Sequence, residues 1–218
     1  MTLDQTVLRT AMVDRQVRPS DVTSYAIIAA MLEVPRERFV PRDLVPVAYS
    51  GEHLPLDTGR VLLDPRTFAK MLELVDITPD DLVLDIGAGL GYSTAVAARL
   101  GEAVVAVEEN LDLAREAEAT LVDLGADNAI VTTAPLIDGD PANGLYDVIL
   151  IEGGVEDVPD ALSAQLKEGG RIVAVFSAGH HGHVRFGRKT ASGIAWRREF
   201  DATAPLLPGF SAPVEFQL

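Results

Sequence analysis

The chain has 218 residues, 48% of them apolar and 23% charged, with a formal net charge of −15 at pH 7. Such acidity excludes nonspecific nucleic-acid binding, which needs a basic face, and the absence of cysteine excludes disulfides, thiolate metal sites and a cysteine nucleophile. With neither a leader-like opening nor an apolar run of bilayer length, a soluble, cytoplasmic protein of one domain is expected, with no membrane partner.

Thr2-Leu3-Asp4-Gln5 has the form of a capping box and predicts a helix from about Leu3 to Gln16. Arg18-Pro19 breaks it, and Ser20 or Asp21 is placed to cap a second helix carrying Val22, Tyr25, Ala26, Ala29 and Leu32 at helical spacing. From Pro41 to Gly59 the prolines and glycines show no period and predict an ordered surface loop. Asp64-Pro65 opens a third helix, with Asp as cap and Pro in the first turn.

Beyond Thr78-Pro79 the pattern alternates. Strands are predicted at Asp81–Ile86, Ala103–Val107, Ala129–Thr132, Tyr146–Ile151 and Arg171–Val175. Helices are predicted at Tyr92–Leu100, Leu111–Leu124 (capped by Asn110, stopped by Gly125) and about Pro159–Leu166. Strands this apolar are buried on both faces, which implies a parallel sheet between helices. Val184–Arg188 and Ile194–Phe200 flank Ser192-Gly193 as an antiparallel hairpin, and Val214–Gln217 offers one more strand. The expected fold is a doubly wound, Rossmann-like α/β domain with a helical N-terminal extension.

The charge is uneven along this plan. Residues 51–160 hold five basic and twenty-three acidic side chains, a net of −18, whereas residues 1–50 sum to 0 and residues 161–218 to +3. Most of the acids read as solvated helix faces.

The sharpest motif is Val83-Leu84-Asp85-Ile86-Gly87-Ala88-Gly89-Leu90-Gly91-Tyr92, between a predicted strand and a predicted helix. A dinucleotide fingerprint would place its third glycine at Tyr92. Here the order is acid-x-Gly-x-Gly-x-Gly, the arrangement of S-adenosylmethionine enzymes. Glu108, at the end of Ala103–Val107, is positioned to accept both ribose hydroxyls and disfavours a 2′-phosphate. Asp85 reads either as a turn acid or as a group near the methionine amino end.

Several segments together resemble protein-L-isoaspartate O-methyltransferases. They are Met12-Val13, Ala30-Met31, Val34-Pro35-Arg36-Glu37-Arg38-Phe39-Val40-Pro41, Ala48-Tyr49, Leu54-Pro55, Gly87–Tyr92, Tyr146-Asp147 and Gln165-Leu166-Lys167-Glu168-Gly169-Gly170, spread over roughly residues 10–176 in the family's order. The resemblance implies a mostly parallel seven-stranded sheet with an antiparallel C-terminal hairpin. It also implies S-adenosyl-L-methionine as cofactor and methyl transfer to the free carboxylate of an isoaspartyl residue in a damaged peptide or protein, a repair reaction. Residues 1–78 would form a helical and active-site-loop region and residues 79–218 the cofactor-binding core, in a monomer or weak homodimer. The cofactor set becomes Asp85, Gly87, Ala88, Gly89, Gly91 and Glu108, with Pro135 and Leu136 where the family carries an Asp-Gly pair for adenine.

Two departures stand out. Gly59-Arg60-Val61-Leu62-Leu63-Asp64-Pro65 corresponds to the family's Gly-Gln-Thr-Ile-Ser-Gln-Pro, so Leu63 holds the serine position and no catalytic residue is assigned. Thr58, Arg60 or amides at the Pro65 helix start are the candidate replacement donors, and Asp138 the candidate adenine acceptor. The alternative function is a noncatalytic or retargeted relative that binds the cofactor without isoaspartyl activity. His180-His181-Gly182-His183 reads as a solvated loop rather than a metal site, His53 as a surface histidine rather than a base, and Leu206–Phe210 as packed tail rather than a cover over the active-site mouth or an oligomer contact.

Overall fold

The computed structural model describes residues 4–57, 59–178 and 181–212. Its main sheet has seven strands in the order β5-β4-β3-β6-β7-β8-β9. They are β3 Leu82–Ile86, β4 Ala103–Val107, β5 Ala129–Thr132, β6 Tyr146–Val155, β7 Leu166–Ala178, β8 His181–Thr190 and β9 Gly193–Asp201. Strands β3 to β7 pair parallel, and β8 and β9 antiparallel. The doubly wound expectation and the Ser192-Gly193 hairpin agree with this sheet. Val214–Gln217 and Thr2-Leu3 lie outside the described residues.

Ile86 is in register with Val107 on one side and with Ile151 on the other. Strand order reverses between β3 and β6, so the carboxyl ends of β3, β4 and β6 open a crevice of the kind that receives ligands in such sheets. One apolar cluster joins Val83, Val104, Val148 and Val173 to α3 (Pro65–Val75), α4 (Tyr92–Ala97), α5 (Leu111–Asp123) and the N-terminal elements. The opposite face packs Leu84, Ile86, Val105 and Ile149 against Leu136, Leu162, Leu207 and Phe210.

Caps behave as the sequence implies where a short polar side chain meets a free amide. Asp64 accepts from Thr67 N–H at 2.9 Å ahead of α3, and Asn110 from the amides of Asp112 and Leu113 ahead of α5. Elsewhere the boundaries move. The first helix is α1, Gln5–Met12, capped by Asp4, and then widens into π-helical winding over Val13–Val17. The Ser20 hydroxyl bonds back to Gln16 O at 2.7 Å and Asp21 sits at φ 61°, so neither caps the next helix. That role falls to Ser24, ahead of α2, Tyr25–Glu33.

The expected loop at 41–59 contains strand β1, Leu54–Asp57, which pairs antiparallel with β2, Arg60–Leu62, just beyond it, both too brief to show a period. Helix α6 is only Asp160–Ala164, because Leu166 already pairs with Tyr146 in the sheet. Helix α4 ends at Ala97, three residues short of the expected Leu100. His181 and His183 belong to β8 rather than to a loop. Among the described residues, no helix is long and apolar enough to cross a membrane.

Candidate active site

The glycine loop follows β3 directly into α4. Gly87, Gly89 and Gly91 take φ of 78°, 58° and 92°, a left-handed run that glycine adopts without steric cost. Gly87 N–H bonds to Val107 O, pinning the loop across the end of β4. Asp85 is fully buried and its Oδ2 accepts from the Ser93 hydroxyl at 2.7 Å and the Thr94 hydroxyl at 2.6 Å. It braces strand against helix beneath the loop, while Oδ1 has no hydrogen-bond partner. Burial pushes its carboxyl up to about 6, against the opposing hydroxyl bonds.

Glu108 lies one residue past β4, fully buried, where the sequence places a ribose acceptor. Its Oε2 accepts from Gly89 N–H at 2.8 Å and its Oε1 from Asn110 N–H at 3.0 Å. Both oxygens also accept from Arg60, Nη1 to Oε1 and Nη2 to Oε2, each at 2.7 Å. Asp85, Gly87, Ala88, Gly89, Gly91 and Glu108 therefore lie together, all buried, at the carboxyl ends of β3 and β4. Leu136 is buried in the same apolar cluster as Ile86 and Val107, and Pro135 precedes its single helical turn.

The profile of the protein-L-isoaspartate(D-aspartate) O-methyltransferases matches residues 8–200. The chain belongs to this family. A protein-L-isoaspartate O-methyltransferase of Opitutus terrae is 39% identical over 172 residues, 79% of this chain and 74% of the relative. One of Gloeobacter violaceus is 39% identical over 162 residues, 74% of this chain and 79% of the relative. A solved structure bearing the same enzyme name has a TM-score of 0.79 at 26% identity, covering 94% of this chain and 66% of that longer one. A Plasmodium falciparum structure described as a complex with S-adenosyl-L-homocysteine shares the fold at TM-score 0.76 and 19% identity, over 94% of this chain and 98% of that one.

The fit of S-adenosylmethionine, the family's cofactor, is read from the donors and the space. The groups present suit it: a two-oxygen carboxylate acceptor at the end of β4 and a glycine cradle without Cβ atoms. The space beside them is held by side chains. A Cβ built on Gly89 would stand 2.5 Å from Leu56 Cδ1, and one on Gly87 3.2 Å from Arg60 Nη2. Leu207, drawn in by its N–H bond to Gly154 O, stands 2.6 Å from a Cβ built on Gly153. The tail segment thus covers the loop besides packing.

Leu63 is 1% exposed and its side chain joins the apolar core. Of the candidate replacement donors, Thr58 lies outside the described residues and Arg60 is engaged at Glu108. At the start of α3, Asp64 N–H donates to His53 Nδ1 and Thr67 N–H to Asp64. His53 Nε2 meets Thr203 O at 2.7 Å, so both ring nitrogens are occupied and neither serves as a base. A cleft of about 440 Å³ beside this helix start is lined by Arg15, Gln16, His53, Asp64, Arg66 and Thr203, among others.

Asp138 is exposed, whereas Asp140 is the buried acid near this edge. Burial raises the Asp140 carboxyl, but bonds from Asn143 and Thr132 outweigh it and hold it below its ordinary value. His183 accepts from Arg185 Nε at 2.8 Å, and burial together with that cation lowers its pKa. Among the described residues, no three His, Cys, Asp or Glu are grouped to hold a metal.

Among the described residues, Arg36 and Glu152 are buried ionisable side chains at the site to which the sequence assigns no role. Arg36, wholly buried, donates from Nε to Ala48 O at 2.8 Å and from Nη2 to Leu63 O at 2.7 Å, with its guanidinium 4.9 Å from the centre of the Tyr92 ring. Glu152 follows Ile151, the register partner of Ile86, and is 5% exposed with Oε1 unpartnered. Burial and then the charge of Asp85 push its carboxyl well above the ordinary range. The available signal was a charge inside an apolar strand, and an arginine in the Val34–Pro41 run.

Proposed function

We propose that this chain carries out its family's reaction, transfer of the S-adenosylmethionine methyl group to the free carboxylate of an L-isoaspartyl residue, at the crevice formed by β3, β4 and β6. The observation that carries the reading is Glu108: a buried carboxylate tied to the Gly89 amide at the end of β4, in a chain matched by the family over residues 8–200. Glu108 is assigned to the ribose hydroxyls. Gly87, Ala88, Gly89 and Gly91 form the surface beneath, Asp85 stiffens the loop through Ser93 and Thr94, and Pro135 and Leu136 line the adenine side.

When bound, the cofactor supplies an already activated sulfonium methyl. The acceptor carboxylate is ionised at neutral pH, so the protein needs no base, and its contribution is alignment and a donor to the spectator oxygen. Leu63 stands at the family's serine position with an apolar, buried side chain. We assign the donor role to Arg60, on the strand that leads into Leu63, once its guanidinium leaves Glu108. The repair substrate is a peptide or protein, and a monomer or weak homodimer suffices for such a site.

The Arg60–Glu108 pair and the buried Leu63 also support a second reading, a relative that binds cofactor but transfers no methyl. A radiolabelled methyl-transfer assay on an isoaspartyl peptide beside its normal aspartyl twin separates them. Base-labile label on the isoaspartyl peptide alone is expected. Binding of S-adenosylhomocysteine without any label on that peptide favours the second reading.

A further inference from the structure

Arg60 is 5% exposed, and its guanidinium is committed within the crevice: two bonds to Glu108 and a third, from Nη2, to Gly87 O at 2.9 Å. Its Nε has no partner. A bidentate guanidinium–carboxylate pair is the geometry that most fully uses a carboxylate's two oxygens. A ribose cis-diol would present two O–H donors to the same pair of atoms. Leu56, from the strand before, covers Gly89, so the β1–β2 hairpin delivers both a cation and an apolar cap onto the loop.

We propose that Arg60 is a built-in occupant of the ribose subsite, competing with nucleoside cofactor for Glu108, so that cofactor enters only as the β1–β2 hairpin lifts. This rests on the assignment of Glu108 to the ribose. Glu108 is not left as a bare buried charge in either state, because guanidinium and diol each satisfy it. The exchange lowers apparent cofactor affinity by the fraction of molecules that are open. It also couples the two halves of the site: the same event that seats the ribose frees Arg60 toward the acceptor side. Cofactor therefore binds before the acceptor.

The test is calorimetric titration of S-adenosylhomocysteine into the wild type, Arg60→Ala and Arg60→Gln. Removing the competitor is expected to tighten binding about tenfold or more in Arg60→Ala, with Arg60→Gln shifted the same way, while methyl transfer falls. Equal or weaker binding by folded variants overturns the proposal and leaves the cofactor assignment standing. Absence of binding by all three proteins overturns the cofactor assignment itself, and with it the proposal. Should the variants fail to fold, hydrogen exchange on the wild type decides. Amides of residues 54–62 should exchange faster when S-adenosylhomocysteine is added, and binding with unchanged or slower exchange there overturns the proposal.

Discussion

Arg36 Nη2 donates to the backbone carbonyl of Leu63 across 2.7 Å, so a buried cation in the N-terminal region fixes the segment that leads into α3. The same side chain holds Ala48 O and lies against Tyr92, the first residue of α4. One guanidinium therefore ties the N-terminal loops, the Leu63 segment and the glycine-loop helix together. Its Nη1 has no partner, and burial lowers its pKa despite the aromatic and acidic neighbours.

Arg36→Met removes two hydrogen bonds to carbonyls that stay buried. A loss of about 3–5 kcal/mol in unfolding free energy is expected, read by urea denaturation. Arg36→Lys should recover only part of it, because a single ammonium does not reproduce the planar fork. Full recovery by lysine would show that charge alone matters.

Leu63→Ser places a hydroxyl in an apolar cluster and leaves a cavity, because the side chain is 1% exposed. The expected cost is about 3–5 kcal/mol, again by urea denaturation. A loss below about 1 kcal/mol would mean that this segment shifts to expose the position.

Asp85 titrates near 6 in the folded protein against an ordinary value of 3.8. The fold binds this proton more tightly than the unfolded chain does. Its stabilising contribution is full below about pH 4 and is lost as pH rises through about 6. Asp85→Asn keeps acceptors for Ser93 and Thr94 and should flatten that part of the stability profile, gaining about 1–3 kcal/mol relative to wild type between pH 4 and 7. Parallel profiles for the two proteins over that range would refute the assignment.

Glu152 is pushed the same way, by burial and then by Asp85. Its contribution too is present at low pH and lost as pH rises through the raised folded value. Glu152→Gln, isosteric and uncharged, should match the wild type near pH 4 and exceed it at pH 8, as read by thermal unfolding at the two pH values. A variant less stable than wild type at pH 8 would place a needed negative charge at this position.

Local chemistry made much of this molecule readable in the chain. The alternating apolar runs gave the parallel strands, because strands buried on both faces need no alternation. Asp64-Pro65 and Asn110 marked helix starts, because a cap depends on a side chain and amides two or three residues away. The β1–β2 hairpin was not readable: strands of four and three residues, one holding Pro55, carry no period. The start of α2 was misplaced because Ser20 found a carbonyl four residues back, a choice made by the winding of the preceding turn.

The acid-x-Gly-x-Gly-x-Gly loop and Glu108 at the next strand end were fixed by sequence, since glycine spacing and strand length set where backbone and carboxylate can meet. Which partner fills Glu108 was decided only in three dimensions. Arg60 lies forty-eight positions away, and although its place in the chain marks it as a candidate donor, nothing local pairs it with Glu108. The same holds for Arg36 and Glu152, whose meaning comes from desolvation, a property of the assembled core. The net charge of −15 belongs largely to solvated faces, while the charges that govern the site are the few that folding removes from water.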